Sequence, residues 1–249
     1  MELLRFNHLA CQPRLTHAVT TRNGGISAPP FHTLNLAFHV SDDPAKVIEN
    51  HRLLGSHLGY DPEKLFRMDQ VHGDRIVRID ADSDPRDIPA CDAMMTDVLH
   101  TPLMVMVADC IPALFYDPEH HAIAVAHAGR NGVFLHILSK TVRAMQEAYG
   151  TDPEKLLAGL GPSIGGCCYE VGENLAAEAE RLGFGDMVIR KEGRIFLDNV
   201  AMALEDLNQC KVKKIEVMDA CTACGALPLY SYRAEGGKTG RFAGVVMLG

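Results

Sequence analysis

The chain contains no tryptophan, few other aromatic residues and no apolar run long enough to cross a membrane. Tyrosine and phenylalanine together make up only 6% of the sequence. A transmembrane helix needs roughly 20 consecutive apolar residues, and no segment approaches that length. Basic residues are also in deficit, with 24 Lys and Arg against 32 Asp and Glu, so the net charge is −8. This balance argues against nonspecific binding to nucleic acid or to anionic membranes, while leaving room for a local basic pocket.

The N-terminal segment lacks the apolar core of a secretory signal peptide. We therefore expect a cytoplasmic protein in which the eight cysteines are reduced. An apolar fraction of 47% is enough for a sizeable core. Because there is no obvious linker, low-complexity tract or internal repeat, we predict one domain that spans residues 1–249. Oligomeric state is left open by the sequence.

Apolar patterning predicts an α+β fold, a single-domain α/β sandwich of mixed β-sheets with packed helices. Three continuous apolar runs are typical of strands buried on both faces: 103–108, 122–126 and 156–160. Asp43 followed by Pro44 has the chemistry of a helix start, and apolar residues follow at helical spacing until Gly59. Another helix is predicted with an apolar stripe from Leu135 to Tyr149.

Two of the apolar runs lead into reactive side chains. The run 103–108 precedes Cys110, the run 122–126 precedes His127, and His72 lies upstream of both. One cysteine and two histidines form a ligand set that zinc accepts, and three protein ligands leave a fourth position for water or substrate. Because 12 histidines and 8 cysteines offer such triples by chance, the spacing alone also fits a buried thiol and two hydrogen-bonded structural histidines.

Short motifs surround these residues in a fixed order along the chain. They are Thr21-Arg22-Asn23-Gly24-Gly25-Ile26-Ser27, Leu34-Asn35-Leu36, Gln70-Val71-His72-Gly73, Ala108-Asp109-Cys110, Ala126-His127-Ala128-Gly129, Gly161-Pro162-Ser163-Ile164-Gly165, Ser231-Tyr232-Arg233 and Thr239-Gly240-Arg241. Together they closely resemble the bacterial YfiH-like family, also called the multicopper polyphenol oxidase (laccase) family. The resemblance covers nearly the whole chain, and the ordered set is highly specific.

The resemblance implies that His72, Cys110 and His127 bind a catalytic zinc. It also implies purine nucleoside chemistry, namely phosphorolysis of adenosine, inosine and methylthioadenosine, with adenosine deamination as a further activity. The expected partners are therefore purine nucleosides and phosphate. Older family names imply a copper-dependent phenol oxidase, which makes copper the alternative cofactor, and some bacterial relatives are called peptidoglycan editing factors.

Five further residues in or near these motifs are candidates for the site. Asp92 falls where family members carry an Asp close to the site, so it either orients a ligand or acts in acid–base chemistry, or it caps a turn. Arginines match phosphate bidentately, which makes Arg22, Arg233 and Arg241 candidates for substrate binding. Asn35 either hydrogen-bonds substrate or caps a turn.

The chain departs from the family pattern directly after the second histidine. Family members usually continue with Trp-Arg-Gly after His-Ala-Gly, whereas Arg130, Asn131 and Gly132 follow here. The arginine therefore stands one position early, which at a helix start changes the direction of its side chain. Arg130 is retained as a substrate-binding candidate, and the substrate and the rate can differ from those of the family.

Three other functions fit the same residues. A metal-free thiol hydrolase would use Cys110 as nucleophile and His127 as base, a role that zinc would prevent by occupying the thiolate. A copper polyphenol oxidase would need several histidine-rich copper sites, whereas the other histidines are scattered. In a non-enzymatic metal-binding or partner-binding protein, the Arg130-Asn131 change would mark lost activity.

Two pairs of cysteines lie outside this set. Cys221 and Cys224 form a C-x-x-C motif, but no second pair stands at zinc-ribbon spacing. We interpret this motif as a reduced structural pair, with redox and metal-binding roles as the alternatives. The adjacent Cys167 and Cys168 are predicted to serve packing rather than chemistry.

Overall fold

The computed structural model describes all 249 residues, Met1–Gly249. The helices are α1 (Asn7–Ala10), α2 (Pro44–Leu58), α3 (Arg130–Phe134), α4 (Ile137–Tyr149), α5 (Glu173–Arg181) and α6 (Asn199–Gln209). The strands are β1 (Leu3–Leu4), β2 (Leu15–Thr20), β3 (Phe66–Arg67), β4 (Ile76–Arg78), β5 (Ala93–Thr96), β6 (Leu103–Val107), β7 (Ile111–Asp117), β8 (Ala122–Ala128), β9 (Leu157–Leu160), β10 (Glu170–Val171), β11 (Val188–Lys191), β12 (Arg194–Leu197), β13 (Lys214–Val217) and β14 (Phe242–Leu248). None of the helices has both the length and the apolar character needed to cross a bilayer.

The strands form two large mixed sheets and one small antiparallel sheet. The five-stranded sheet has the order β1-β2-β14-β6-β3, the six-stranded sheet β13-β9-β7-β8-β5-β4, and the small sheet β10-β12-β11. In the six-stranded sheet the outer pairs β13-β9 and β4-β5 are parallel, whereas β8 pairs antiparallel with both of its neighbours. The predicted α+β fold of mixed sheets with packed helices is confirmed.

The two large sheets share one apolar cluster, and helices cover their outer faces. Alternate residues of β7 point to opposite faces, as the pleat requires. Ala113 and Phe115 pack with residues of α3, α4 and α6, while Leu114 and Tyr116 pack with residues of the five-stranded sheet. On the far side of the five-stranded sheet, Leu54 of α2 belongs to a third apolar cluster. Strands buried on both faces explain why the central sequence runs are continuously apolar.

The predicted helix between Asp43 and Gly59 is confirmed at both ends. The Asp43 side chain accepts the N–H of Ala45 at 3.0 Å, and Pro44 is the first helical residue. Gly59 adopts φ 78° and ends the helix in the left-handed region, where a residue without a Cβ is not strained.

The predicted apolar stripe starting at Leu135 is wrong at its N-terminal end. The chain interrupts the helical path between α3 and α4, where His136 has φ 60°, and the Leu135 side chain is exposed. Asp206 of α6 fixes this break by accepting hydrogen bonds from His136 Nδ1 at 2.8 Å and from the Ser139 N–H at 3.0 Å. The partner lies far away in the sequence, so local periodicity could not reveal it.

Candidate metal centre

Three side chains with metal-ligand atoms meet beside the connection between the two large sheets. Cys110 lies in the turn that leads from β6 of one sheet to β7 of the other, and His72 lies in the loop between β3 and β4. His127 lies inside β8, which extends beyond the apolar run predicted from the sequence. The ligand atoms of these three residues all lie within 4.8 Å of one another. The structure therefore brings the three predicted ligand residues together.

The backbone is constrained at two of the segments that carry these side chains. His72 has φ 58° and Asp109, which precedes Cys110, has φ 85°, a region that non-glycine residues adopt uncommonly. Asp109 is held there by the Thr222 hydroxyl, which donates to Oδ1 at 2.6 Å, and by the Arg233 N–H, which donates to Oδ2 at 2.7 Å. The turn that presents Cys110 is thus fixed by residues near the C-terminus of the chain.

Asp92 positions both histidines through one fully buried carboxylate. It accepts the backbone N–H groups of Val71, His72 and Gly73 at 3.2, 3.0 and 2.7 Å. It also accepts a hydrogen bond from His127 Nδ1 at 2.8 Å, which leaves Nε2 of that ring free to serve as a ligand. A carboxylate behind a histidine fixes the tautomer and the ring orientation in metal sites. Asp92 therefore both caps the His72 loop and orients His127.

The ionisable groups of the site shift one another's pKa values. Burial alone would lower the pKa of His127, but the Cys110 sulfur and the Asp92 carboxylate together raise that pKa to about 9. Burial and then the neighbouring His127 lower the pKa of His72. Although burial would raise the pKa of Asp92, hydrogen bonds from His127 and the Gly73 N–H hold it below its usual range. The site thus keeps the Asp92 carboxylate ionised beside the protonated Nδ1 of His127.

Gly129 leaves an open space between the donor atoms. A Cβ at this position would lie 3.0 Å from Cys110 Sγ and 3.2 Å from His72 Nδ1, which is closer than the optimal contact distance of roughly 3.5–4.0 Å. One sulfur and two imidazoles are also donors that a transition metal accepts. The chemistry of the three donor groups and the space beside them therefore both fit a metal ion. His72, Cys110 and His127 could hold that ion.

A cavity of about 460 Å³ lies over the candidate metal centre. Small-molecule sites commonly have volumes of roughly 300–1,000 Å³, so this cavity could receive a ligand of nucleoside size. Besides the three donors, its wall includes the aromatic rings of Tyr169 and Tyr232 and the guanidinium groups of Arg233 and Arg241. Aromatic faces suit a flat base, and guanidinium groups suit phosphate.

The two arginines of the cavity are held in place by their surroundings. The Arg233 guanidinium lies 5.4 Å from the ring centroid of Tyr169, and its Nη1 donates to the Glu170 carbonyl at 2.9 Å. The Arg241 guanidinium lies 5.7 Å from the ring centroid of Tyr232, and its Nη1 donates to two backbone carbonyls. Burial lowers the pKa of Arg241 from its ordinary value, but an arginine in a protein remains charged. Both side chains therefore present positive charge to the cavity.

Two of the predicted substrate-binding residues lie outside the cavity wall. Arg22 pairs with Glu235 at 3.0 Å, and its guanidinium lies 4.6 Å from the ring centroid of Tyr230. Asn35 is fully buried and accepts the backbone N–H of Arg241 at 3.0 Å. Arg22 therefore stabilises the segment that contains Tyr230 and Glu235. Asn35 positions Arg241, which lines the cavity.

Arg130 also lies outside the cavity wall, next to Tyr169. Its guanidinium is 5.6 Å from the ring centroid of Phe134. Burial raises the pKa of Tyr169, and the positive charge of Arg130 opposes that rise. The early position of this arginine in the sequence thus places it next to an aromatic residue of the wall rather than inside the cavity.

Sequence reasoning missed several residues of the cavity wall. Tyr169 directly follows the Cys167-Cys168 pair, and Tyr232 stands in the same motif as Arg233. Gln70 precedes His72 by two positions, and its amide exchanges two hydrogen bonds with the backbone of Met106 at 2.8 and 3.0 Å. Each of these residues lies within or beside a motif already identified, which is the signal that could have found them.

Comparison with known proteins places these features in context. A family model described as multi-copper polyphenol oxidoreductase laccase matches residues 16–249. A Deinococcus radiodurans protein named purine nucleoside phosphorylase is 38% identical over 248 residues, which covers 100% of this chain and 93% of that protein. A Corynebacterium glutamicum protein also named purine nucleoside phosphorylase is 38% identical over 230 residues, covering 92% of each. The crystal structure of the hypothetical protein YfiH from Bacillus licheniformis matches with a TM-score of 0.89 at 32% identity, covering 94% of this chain and 93% of that chain.

Proposed function

This chain belongs to the multi-copper polyphenol oxidoreductase laccase family, and on that premise we propose that it is a zinc-dependent purine nucleoside phosphorylase. One observation carries the proposal. The metal-competent residues His72, Cys110 and His127 lie at a cavity that also presents two arginines and two tyrosines. The names of the relatives, which match 92% or more of the chain, support an enzyme that acts on purine nucleosides.

The proposed substrates are inosine, adenosine and methylthioadenosine, with phosphate as the second substrate. A phosphate oxygen forms a bond to C1′ of the sugar while the bond from C1′ to the purine nitrogen breaks. The purine leaves with the bonding electron pair and takes up a proton, so the products are the free base and the sugar 1-phosphate. Arg233 and Arg241 would hold the phosphate through charge-assisted hydrogen bonds, and Tyr169 and Tyr232 would contact the base.

His72, Cys110 and His127 would hold the metal. Zinc, when bound there, supplies a Lewis acid with one coordination position left for water or substrate. The protein side chains contribute orientation: Asp92 keeps Nδ1 of His127 protonated and the ring fixed, and Gly129 leaves room beside Cys110 Sγ. The turn at Asp109 aims the cysteine toward the same point.

We include adenosine deamination as a further activity of the same cavity. Water adds to C6 of the adenine ring and ammonia leaves, so the product is inosine rather than a free base. The two reactions are therefore distinguishable by their products and by their dependence on phosphate.

A metal-free thiol hydrolase is the second candidate, and a specific contact favours it. Asp92 orients His127, and His127 lies beside Cys110, which is the order of acid, base and nucleophile in hydrolases of this type. The family name separately suggests copper, whose preference for imidazole and sulfur donors fits the same three residues.

The proposal is tested by measuring turnover of inosine and adenosine with and without phosphate, on full-length protein whose metal content has been determined. Cys110→Ala should lose one zinc relative to the wild type and should reduce phosphorolysis by at least about 100-fold, because even changes behind the ligands cost roughly 10–100-fold. Cys11→Ala is the matched control, since Cys11 is exposed and does not line the cavity. It should retain both the metal and the activity.

Three results would contradict the proposal. Base release that does not depend on phosphate would exclude a phosphorylase. Copper bound at Cys110 together with oxidation of phenols would favour the function in the family name. A metal-free Cys110 that forms a covalent acyl intermediate would establish the thiol hydrolase.

A further inference from the structure

Four cysteines form a second cluster, in loops that leave the same edge of the six-stranded sheet. They are Cys167, Cys168, Cys221 and Cys224. The first two follow β9 and the last two follow β13, which are adjacent parallel strands. Because parallel strands end at the same edge, the two loops lie side by side. An isolated parallel β-bridge between Ser163 and Cys221 extends the pairing of β9 with β13 into these loops. The Thr222 N–H donates to the Ser163 carbonyl at 3.0 Å.

The sulfur atoms have the spacing of ligands around one ion. All four Sγ atoms lie within 4.8 Å of one another, and those of Cys167 and Cys224 are 3.6 Å apart. In a tetrahedral zinc site with Zn–S bonds of ~2.3 Å, the sulfur atoms are roughly 3.8 Å apart. The Cys221 sulfur also accepts the Gly165 N–H at 3.3 Å, a contact that stabilises sulfur in its thiolate form.

We propose that Cys167, Cys168, Cys221 and Cys224 bind a second zinc ion, in a four-sulfur site separate from the centre formed by His72, Cys110 and His127. Four thiolates at tetrahedral spacing are typical of structural zinc sites, which keep no position open for substrate. The sequence alone had indicated two unrelated pairs, because the C-x-x-C motif lacks a second motif of the same kind. The parallel pairing of β9 and β13 supplies the missing ligands.

The loops that carry this second site adjoin the wall of the cavity. Thr222, inside the C-x-x-C motif, donates to Asp109, the residue that precedes Cys110. Tyr169 directly follows Cys168 and lines the cavity. A zinc ion that joins the two loops would therefore fix both the turn that presents Cys110 and the Tyr169 ring in the cavity wall. Its role is to position these residues, not to contact the substrate.

Metal stoichiometry of the full-length protein and its variants tests the second site. Cys110→Ala disables the first centre, so it should retain one zinc per chain after exhaustive dialysis, and this result does not depend on turnover. The double variant Cys110→Ala/Cys224→Ser should retain none. Cys11→Ser, which changes an exposed cysteine outside both clusters, should match the wild type.

Cobalt substitution of Cys110→Ala reports the ligands directly. The cobalt protein should show the intense sulfur-to-metal charge-transfer absorption of a four-thiolate site. If Cys224→Ser does not fold, the Cys110→Ala protein alone remains decisive, with a zinc-sensitive dye following release of its metal. Hydrogen exchange in segments 163–171 and 219–226 should rise in Cys224→Ser, which tests the positioning role.

Distinct results would overturn the second site. One such result is a Cys110→Ala protein that holds no metal and whose four clustered thiols react with a thiol reagent as readily as Cys11. The cluster would then consist of packed cysteines that bind no metal. A disulfide within the cluster found by mass spectrometry would instead make it a redox pair, and bound iron or copper would reject zinc. A wild type with one zinc that Cys110→Ala loses would support the proposed phosphorylase centre while excluding the second site.

Discussion

Single residues decide how the candidate metal centre is held. Asp92 connects the loop that carries His72 to the strand that carries His127, through four hydrogen bonds to one carboxylate. A buried carboxylate with so many donors has little freedom to move, so both rings keep their orientation. Gly129 contributes by having no side chain, because a Cβ at this position would occupy the space beside the donor atoms.

Replacing Gly129 by alanine should therefore weaken metal binding without unfolding the protein. Gly129 has φ −72° and ψ 170°, which alanine adopts without strain, so the effect comes from the methyl group near Cys110 and His72. We expect metal affinity and turnover to fall by at least about 10-fold. Gly172→Ala is the control, since its Cβ would meet no atom within 4 Å. Calorimetric metal titration of both variants makes the comparison, and unchanged affinity in Gly129→Ala would show that the space is not used.

At the scale of elements, the junction of α3, α4 and α6 depends on Asp206. Its carboxylate is buried and accepts hydrogen bonds from His136 Nδ1 and from the Ser139 N–H. The second bond satisfies one of the backbone donors that every helix leaves unpaired in its first turn. The start of α4 is thus set by a residue on another helix and not by a side chain of its own.

Asp206→Ala should lower the free energy of unfolding by about 1–3 kcal/mol, because it leaves the buried N–H of Ser139 without an acceptor and removes the partner of the His136 ring. Urea unfolding followed by circular dichroism measures the change. The neighbouring Glu205→Ala, which loses a contact with Gln209 on the exposed side of α6, should change stability by less than about 0.5 kcal/mol. Equal effects of the two substitutions would mean that Asp206 does not hold the junction.

At the scale of the whole molecule, two buried histidines make stability depend on pH. Burial, reinforced by nearby positive charge, lowers the pKa of His17 and of His51 from 6.5 to about 4. Above pH 6.5 both rings are neutral in the folded and the unfolded chain. Below that pH the unfolded chain binds protons that the folded chain refuses, so the free energy of unfolding should fall between pH 6.5 and about 4.

The expected loss is roughly 3 kcal/mol for each histidine, at roughly 1.4 kcal/mol per unit of pKa. Urea unfolding at several pH values between 7 and 4 would measure it. His51→Gln provides the comparison, because its amide can still donate to the Leu36 carbonyl that His51 Nε2 contacts at 2.9 Å. The variant should lose less stability over this pH range than the wild type, and parallel curves would exclude His51 as a source of the effect.

The sequence by itself determined the features that depend on a few neighbouring residues. The caps of α2 at Asp43 and Gly59 are correct because capping is a local hydrogen-bonding problem. The apolar runs became buried strands because a strand covered on both faces has no polar side. The ordered motifs likewise contained His72, Cys110 and His127, which the fold brings together.

Only the tertiary structure decided which distant segments meet. The seven-residue strand β7, which begins directly after Cys110, was not anticipated, and it determines that the chain changes sheets at Cys110. The tertiary structure also decided the contacts of Arg22 and Asn35. Their motifs adjoin the site, but their side chains bond to residues outside the metal centre. The four cysteines converge because β9 and β13 are parallel neighbours. Strand order follows from the packing of the whole core, and no local pattern of residues encodes it.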